Sequence, residues 1–143
     1  MIVKPMVVGK QFAILDADVT ATSITTIDSG LTISLAANST YEFTSAILLD
    51  GDTDGMRFTL DYSGTVENGS LAWMTPTSSG ALTVTVDAET TVSSLSGWSV
   101  FALLGAIRTT TNGVLKLTFR KNTDAGADTT ISAGSYISAR LLA

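Results

Sequence analysis

The feature that most constrains this chain is an alternation of apolar and polar residues that recurs from end to end, without a sustained helical period. In Met56–Tyr62 every second side chain is apolar, whereas Arg57, Thr59 and Asp61 fall on the opposite side. A period of two places the two sets on opposite faces of a β-strand, so that one face can be buried. Similar alternation is found at residues 31–35, 41–47, 82–86, 98–106, 115–119 and 137–141. The pattern predicts an all-β chain.

Short turn signals separate these runs. They are Asp50–Gly55, Ser63-Gly64, Asn68-Gly69, Ser79-Gly80, Asn112-Gly113, Asp124–Asp128 and Ala133-Gly134. Roughly seven to nine short strands joined by such turns predict an antiparallel β-sandwich of jelly-roll or similar topology. Because neither a repeat nor a linker divides the chain, we expect one domain at 19–143, preceded by an N-terminal arm or edge strand at 1–18.

The composition limits the chemistry that is open to the chain. It contains 23 Thr and 16 Ser but neither Cys nor His, so disulfides, thiolate chemistry and the commonest general base are excluded. The net charge of −5 argues against nucleic acid as a partner. The longest apolar stretch, Val100–Ile107, is eight residues, too short to span a bilayer. No export signal is recognised at Met1–Leu15.

Charge is divided unevenly along the sequence. Residues 1–89 carry 11 acidic and 3 basic side chains, whereas residues 90–143 carry 2 acidic and 5 basic ones. Two interpretations are open at this point. The clustering arises by chance in loops, or it marks complementary faces that meet between copies of the chain.

The segment Trp98–Ile107 is apolar on both faces of its predicted strand, which is unusual in a two-layer sandwich. Either a loop or the N-terminal arm covers the second face, or that face is a subunit interface. The candidate interface residues are Trp98, Phe101, Leu103 and Ile107, together with Phe12 and Ile14 of the apolar N-terminal segment.

The acidic turn Asp50-Gly-Asp52-Thr-Asp54-Gly matches the opening of a calcium-binding loop, and Asp61 stands at its twelfth position. Such a loop is normally flanked by helices, whereas the flanking residues here predict strands. A solvated acidic turn is the alternative to a calcium site. Apart from calcium, we expect no cofactor.

Nothing in the sequence favours an enzyme. The carboxylate pairs Asp16/Asp18 and Asp87/Glu89 each lie on one strand face, but this spacing is also routine on solvated edges. No Ser or Thr is accompanied by a base that would activate it. Trp73, placed in a predicted loop at 69–76, could stack on a sugar or simply pack in the core.

Two stretches resemble a family of phage proteins. Residues 31–50, LTISLAANSTYEFTSAILLD, are similar to a motif in which an apolar strand precedes N-T-x-Y-x-F. Residues 113–142 resemble its usual ending, a G-T-L-x-L strand followed by an N-T turn and T-x-x-A-G-S-Y-x-x-A-R. The matching positions in this ending are Asn122, Thr123, Ala133, Gly134, Ser135, Tyr136, Ala139 and Arg140. The family is the β-rich module of tailed-bacteriophage structural proteins.

The resemblance implies a jelly-roll or C1q/TNF-like sandwich that forms a homotrimer in a virion and carries no catalytic residues. We therefore expect a capsid decoration protein at the particle surface, assembled in the host bacterial cytoplasm, with the major capsid protein or other virion proteins as partners. A receptor- or carbohydrate-binding module of a tail or head appendage is the alternative. Neither nucleic acid nor a membrane is expected as a partner.

Overall fold

A computed structural model describes residues 10–51, 54–75, 78–92 and 97–143. The described residues form thirteen strands. In chain order they are β1 (Lys10–Ile14), β2 (Val19–Ala21), β3 (Ile27–Leu35), β4 (Ser39–Gly51), β5 (Met56–Tyr62), β6 (Val66–Asn68), β7 (Ser70–Thr75), β8 (Ser78–Thr85), β9 (Thr90–Val92), β10 (Gly97–Thr109), β11 (Gly113–Lys121), β12 (Thr129–Ile131) and β13 (Tyr136–Leu141). The strand pairs are antiparallel, so the prediction of an antiparallel all-β sandwich is confirmed.

The strands form two sheets. The large sheet has the order β1-β13-β4-β10-β7-β8; in addition, β12 pairs with β4, β2 pairs with β12, and β6 pairs with β10. The small sheet has the order β3-β11-β5-β9. Apart from the consecutive strands β7 and β8, paired strands are distant in sequence, because the chain crosses repeatedly between the two layers.

Alternating side chains from both sheets fill the space between them. In β4, every second residue from Tyr41 to Leu49, including Ser45, is buried, whereas the residues that alternate with them are half-buried on the other face. Phe58 of the small sheet stacks on Phe101 of the large sheet with 5.0 Å between ring centroids. The two aromatic rings therefore join the layers at the centre of the core.

One end of the sandwich is closed by a tight turn between β10 and β11. The Tyr62 hydroxyl donates a hydrogen bond to the Thr111 carbonyl at 2.7 Å, and the Asn112 side-chain oxygen accepts one from the Ala37 amide at 2.7 Å. A Cβ at Gly113 would lie 2.5 Å from the Gly64 nitrogen and 2.7 Å from the Tyr62 ring. Only glycine fits this close approach, which explains the Asn-Gly pair of the predicted turn.

Two local predictions are wrong. Ser79-Gly80, expected as a turn, lies inside β8, and Trp73, expected in a loop, lies in β7 opposite Leu103. For Trp73, cross-strand pairing outweighs the local preference of the residue. Ser79 and Gly80 lie where the register between β7 and β8 shifts. The Trp73 side chain lies outside the described part of the structure. Among the described residues, no helix is long and apolar enough to cross a membrane.

Candidate interaction surface

Strand β10 has one face in the core and one face at the surface. Phe101, Leu103 and Ile107 point between the sheets and are at most 1% exposed. On the opposite face, Trp98 is 58% exposed and Leu104 is 51% exposed. The two apolar faces seen in the sequence are therefore one core face and one outward face.

This result corrects half of the predicted interface. Phe101, Leu103 and Ile107 belong to the core because the register of β10 with β4 turns them inward. Trp98, Phe12 and Ile14 are exposed on the outer side of the large sheet, and the last two are each more than half exposed.

Further apolar residues lie beside them through strand register. Val100 is opposite Leu48, and Ala102 is opposite Ala46, which is in turn opposite Tyr136. Phe12 stacks on Tyr136 with 5.6 Å between ring centroids. We call this surface the apolar face. Its members are Phe12, Ile14, Ala46, Leu48, Trp98, Val100, Ala102, Leu104, Ala106 and Tyr136.

The apolar face is comparable in size with the largest apolar patch of an ordinary soluble monomer. It spans the four strands β1, β13, β4 and β10, about 15–20 Å across, and the eight-residue rise from Trp98 to Ala106, about 26 Å along the strands. The resulting area of roughly 400 Å² is within the range of the largest apolar patch on a soluble monomer, where such patches are often functional. Sequence reasoning missed Val100, Leu104 and Tyr136, although Val100 and Leu104 share the alternating set of Trp98.

Charged residues bound the apolar face at both ends: Asp50 lies opposite Trp98 at one end, and several charged residues lie at the other. Arg140 contacts Glu42 at 3.2 Å, and Arg108 contacts Glu67 at 3.0 Å. Lys10 lies opposite Arg140 in the register, and its ammonium group is 5.9 Å from the centre of the Phe12 ring. We call Lys10, Arg140, Glu42, Arg108 and Glu67 the charged row.

The outer face of the small sheet is polar. Glu89 accepts hydrogen bonds from Arg120 at 2.9 and 3.0 Å and from Arg57 at 2.9 Å. The bonds from Arg120, reinforced by Arg57, hold the pKa of the Glu89 carboxyl below its usual range despite its partial burial. The same contact raises the pKa of Arg120. Lys116 lies 3.8 Å from Asp28 and 4.0 Å from Asp61 on this face.

The basic residues of the C-terminal part of the chain form ion pairs with acidic residues of the same chain. Each of the five basic residues of 90–143 has an acidic partner, and four of these partners belong to 1–89. The exception is Lys121, which pairs with Asp128. Three of these pairs, Arg108–Glu67, Lys116–Asp28 and Arg140–Glu42, join strands that are distant in sequence and adjacent in a sheet.

The candidate calcium ligands are spread apart. Asp61 lies five residues beyond Met56 in β5, about 16 Å along the strand, beside Lys116. Asp54 accepts a hydrogen bond from Thr123 at 3.2 Å, and Asp50 lies in β4 opposite Trp98. Asp52 is outside the described residues. Within the described part, no cluster of three or more Asp and Glu side chains is arranged to hold a metal ion.

The predicted carboxylate pairs have structural contacts. Asp18 accepts a hydrogen bond from the Ala133 amide at 2.8 Å, and Asp87 accepts one from the Tyr62 amide at 2.7 Å. Glu89 binds the two arginines. These three carboxylates therefore hold loops and strands in place.

The residues that resemble the phage-type ending, within 113–142, lie in several parts of this architecture. Ala133 and Gly134 form the turn before β13, where Gly134 has a φ of +91°. The buried Ser135 hydroxyl accepts a hydrogen bond from the Leu48 amide at 2.9 Å. Tyr136 lies in the apolar face, Ala139 in the core and Arg140 in the charged row. The motif thus links the edge of the large sheet to its central strand.

The sequence matches no protein-family model, and no curated protein is detectably similar to it. The topology defines the fold as a TNF-like jelly-roll sandwich. The structure of Eiger TNF from S. frugiperda is similar over 94% of this chain and 92% of that chain, with a TM-score of 0.55 and 12% identity. At this identity the likeness shows the fold alone.

A second likeness is weaker. The structure of infectious bursal disease virus, Gx strain, is similar over 91% of this chain and 31% of that chain, with a TM-score of 0.48 and 12% identity. Such a score defines neither the topology nor the function of this chain.

Proposed function

We propose that this chain is a structural protein of a bacteriophage particle, a capsid decoration protein that self-associates as a homotrimer and braces the major capsid shell. The single observation that carries the self-association is the apolar face, in which exposed aromatic and aliphatic side chains of β1 and β10 flank half-buried ones of β13 and β4. The resemblance of the C-terminal motif to phage structural modules supports the location in a virion. The proposed role involves no catalysis, and the engagement of Asp18, Asp87 and Glu89 in structural contacts agrees with it.

Burial of the apolar face supplies the proposed driving force. Burial of this face, about 400 Å² on each copy, corresponds to at most roughly 10 kcal/mol of transfer free energy, because Thr44 and Ser138 also lie within it and the cost of immobilising the partners is still to be subtracted. A stable protein interface usually buries about 800 Å² on each partner, so the apolar face would form the centre of a larger contact with a polar rim.

Bracing of the capsid shell would follow from the presence of many copies of the trimer on one particle. Each trimer would contact several major capsid subunits, so that opening the shell breaks many modest contacts together. This part of the proposal rests on protein–protein contacts alone and involves neither nucleic acid nor a membrane.

The self-association is tested with two valines of equal exposure. Val100 on the apolar face and Val114 on the small sheet are both 38% exposed. Light scattering should give a trimer mass for the wild type and for Val114→Asp, and a monomer mass for Val100→Asp. The proposal fails if the wild type is a monomer in solution and on the particle, or if the two variants behave alike.

The role on the particle is tested with purified virions. We expect many copies per particle on a stained gel, in a fixed ratio to the major capsid protein, and a lower rupture temperature for virions that lack the chain. An unchanged rupture temperature would contradict bracing. A handful of copies per particle, together with glycan binding on an array, would instead establish the alternative of a receptor- or carbohydrate-binding module.

A further inference from the structure

Strand β1 forms one edge of the large sheet, and its backbone is paired on one side only. Among the described strands, β13 alone pairs with it. The Leu15 amide and carbonyl both bond to the turn that leads into β13. In an antiparallel pair this direction alternates along the strand. The backbone amides and carbonyls of Lys10, Phe12 and Ile14 therefore point the other way, toward the open edge.

The other sheet edges differ from β1. Strand β8, at the far end of the large sheet, contains no charged residue. Strand β9 has three residues, and β3 is interrupted at Gly30, which has a φ of +88° and lies where the register with β11 shifts. Short strands and bulges protect an edge against pairing. Strand β1 has an unbroken register and no proline, and its Phe12 and Ile14 side chains are exposed.

Two opposite charges flank β1. Lys10 begins the strand and Asp16 follows its end by two residues, and both are exposed. Neither makes an ion pair with a described residue, and the Arg140 guanidinium opposite Lys10 already holds Glu42. Within one copy Lys10 and Asp16 are roughly 20 Å apart along the extended chain, so they cannot pair with each other. The edge thus ends in one unmatched charge of each sign.

Two copies of β1 complement each other when they run antiparallel. In one register Ala13 faces Ala13 of the second copy across a twofold axis, and the outward backbone groups meet. Phe12 then lies opposite Ile14 on both sides of the axis. Lys10 likewise lies opposite Asp16 on both sides. Aromatic against β-branched residues and opposite charges are both favourable cross-strand pairs. A shift by two residues in either direction separates the lysine from the carboxylate.

We propose that the β1 strands of two copies pair antiparallel about a twofold axis at Ala13, so that two large sheets become one continuous sheet. The ion pair between Lys10 and Asp16 selects the register, and the outward backbone groups supply the hydrogen bonds. The contact lies in the plane of the sheet, whereas the apolar face lies on its outer side. It therefore goes beyond the proposed function and does not depend on it.

This edge contact is weak by itself. It forms about four backbone hydrogen bonds at the surface, too few to hold two free chains together against the loss of their translational and rotational freedom. Copies already held side by side, in an oligomer or on a particle, have lost that freedom before β1 pairs. The contact therefore joins neighbouring copies and leaves the monomer mass expected for Val100→Asp in dilute solution unchanged.

Because the chain contains no cysteine, single substitutions test the register. In the paired strands the Ala13 Cα atoms of two copies are about 4.5 Å apart, within the roughly 7 Å limit of a disulfide. The Gln11 Cα atoms of two copies are separated by about 14 Å along the strands. Ala13 and Gln11 are both half-buried on the same side of β1, so Gln11→Cys is the matched control for Ala13→Cys.

On mild oxidation at high protein concentration, Ala13→Cys should form covalent dimers on a non-reducing gel, and Gln11→Cys should remain as single chains. Cross-linking of both variants alike, or of neither, would overturn the contact. The same preference is expected in the Val100→Asp background, where association through the apolar face is abolished, so failure of the apolar-face proposal leaves this result unchanged.

A second variant covers the case in which Ala13→Cys does not fold. The double variant Lys10→Cys/Asp16→Cys changes only exposed residues, and their separation within one copy is too great for a disulfide. The proposed register places them opposite each other, so covalent dimers are expected here as well. A folded double variant that stays single under the same oxidation would contradict the register.

A charge exchange tests the ion pair. In the Ala13→Cys chain, Lys10→Glu should slow dimer formation about fivefold, as expected for the loss of exposed ion pairs. Lys10→Glu/Asp16→Lys should restore the rate, and added salt should reduce the difference. If the exchanged chain cross-links as slowly as the Lys10→Glu chain, the contact between Lys10 and Asp16 is refuted.

Discussion

The outer faces of the two sheets carry residues of equal exposure in opposite surroundings. Val114 on the small sheet and Val100 on the large sheet are each 38% exposed. Near Val114 on the small sheet are Ser34 and Lys116, whereas Val100 lies among Leu48, Trp98 and other apolar side chains. An isolated exposed valine is ordinary on a soluble protein, but an exposed valine inside a contiguous apolar patch indicates a binding surface.

The two faces also use charge differently. On the small sheet, ion pairs such as Arg120–Glu89 occupy the middle of the face. On the large sheet, the ion pairs Arg140–Glu42 and Arg108–Glu67 are confined to one end. Charges at the centre of a surface make its burial costly, whereas charges at its rim permit burial of the centre and add specificity. The outer face of the small sheet is therefore suited to contact with water, and the outer face of the large sheet to contact with a partner.

The largest expected effect separates the two sides of β10. Phe101→Ala should lower the free energy of unfolding by about 3–5 kcal/mol, because Phe101 is fully buried and stacked on Phe58. Leu104→Ala, on the outer side of the same strand, should lower it by less than about 1 kcal/mol in the monomer. Urea denaturation at low protein concentration measures both changes. Equal losses would show that the outer side is as important to the fold as the core.

The next effect concerns association. Leu104→Ser should weaken self-association roughly ten- to hundredfold, since about 1.5–3 kcal/mol of apolar burial is lost at each contact. Sedimentation equilibrium gives the dissociation constants. Val114→Ser on the small sheet should leave the constant unchanged, and a similar weakening by both variants would remove the distinction between the faces.

A smaller effect is expected in thermal unfolding. The Tm of the wild type should rise by a few degrees as protein concentration increases, because association stabilises the folded state. The Tm of Val100→Asp should be independent of concentration. Calorimetry over a hundredfold concentration range measures the difference, and a flat wild-type Tm in a range where light scattering detects oligomers would contradict the coupling.

The smallest effect on stability is expected for a substitution on the outer face of the small sheet. Because the folded state lowers the pKa of Glu89, its contribution to stability is complete above the ordinary glutamate pKa of about 4.3 and is lost as pH falls through the lowered value. Glu89→Gln should therefore reduce stability by at most about 1 kcal/mol at neutral pH and less in strong acid. Denaturation curves between neutral and acidic pH test this, and an equal loss at every pH would assign the effect to packing.

The sequence predicted the strands and the core well because alternation reports which side chains can be buried together. It could not decide which face of Trp98–Ile107 is the core face, since both faces are apolar and only the register with β4 distinguishes them. The ion pairs could not be predicted from the sequence either. Arg120 and Glu89 are 31 positions apart, and Arg140 and Glu42 are 98 apart, so their contacts depend on strand order.

The separation of the charged row from the opposite end of the sandwich also gives the molecule an electric dipole. That opposite end carries Asp18, Asp50, Asp54 and Asp124, while Arg57, Arg120 and Lys121 near it are already held by Glu89 and Asp128. Long-range attraction would then turn the molecule before contact, so that it meets a basic surface with its acidic end first, and added salt would weaken this steering.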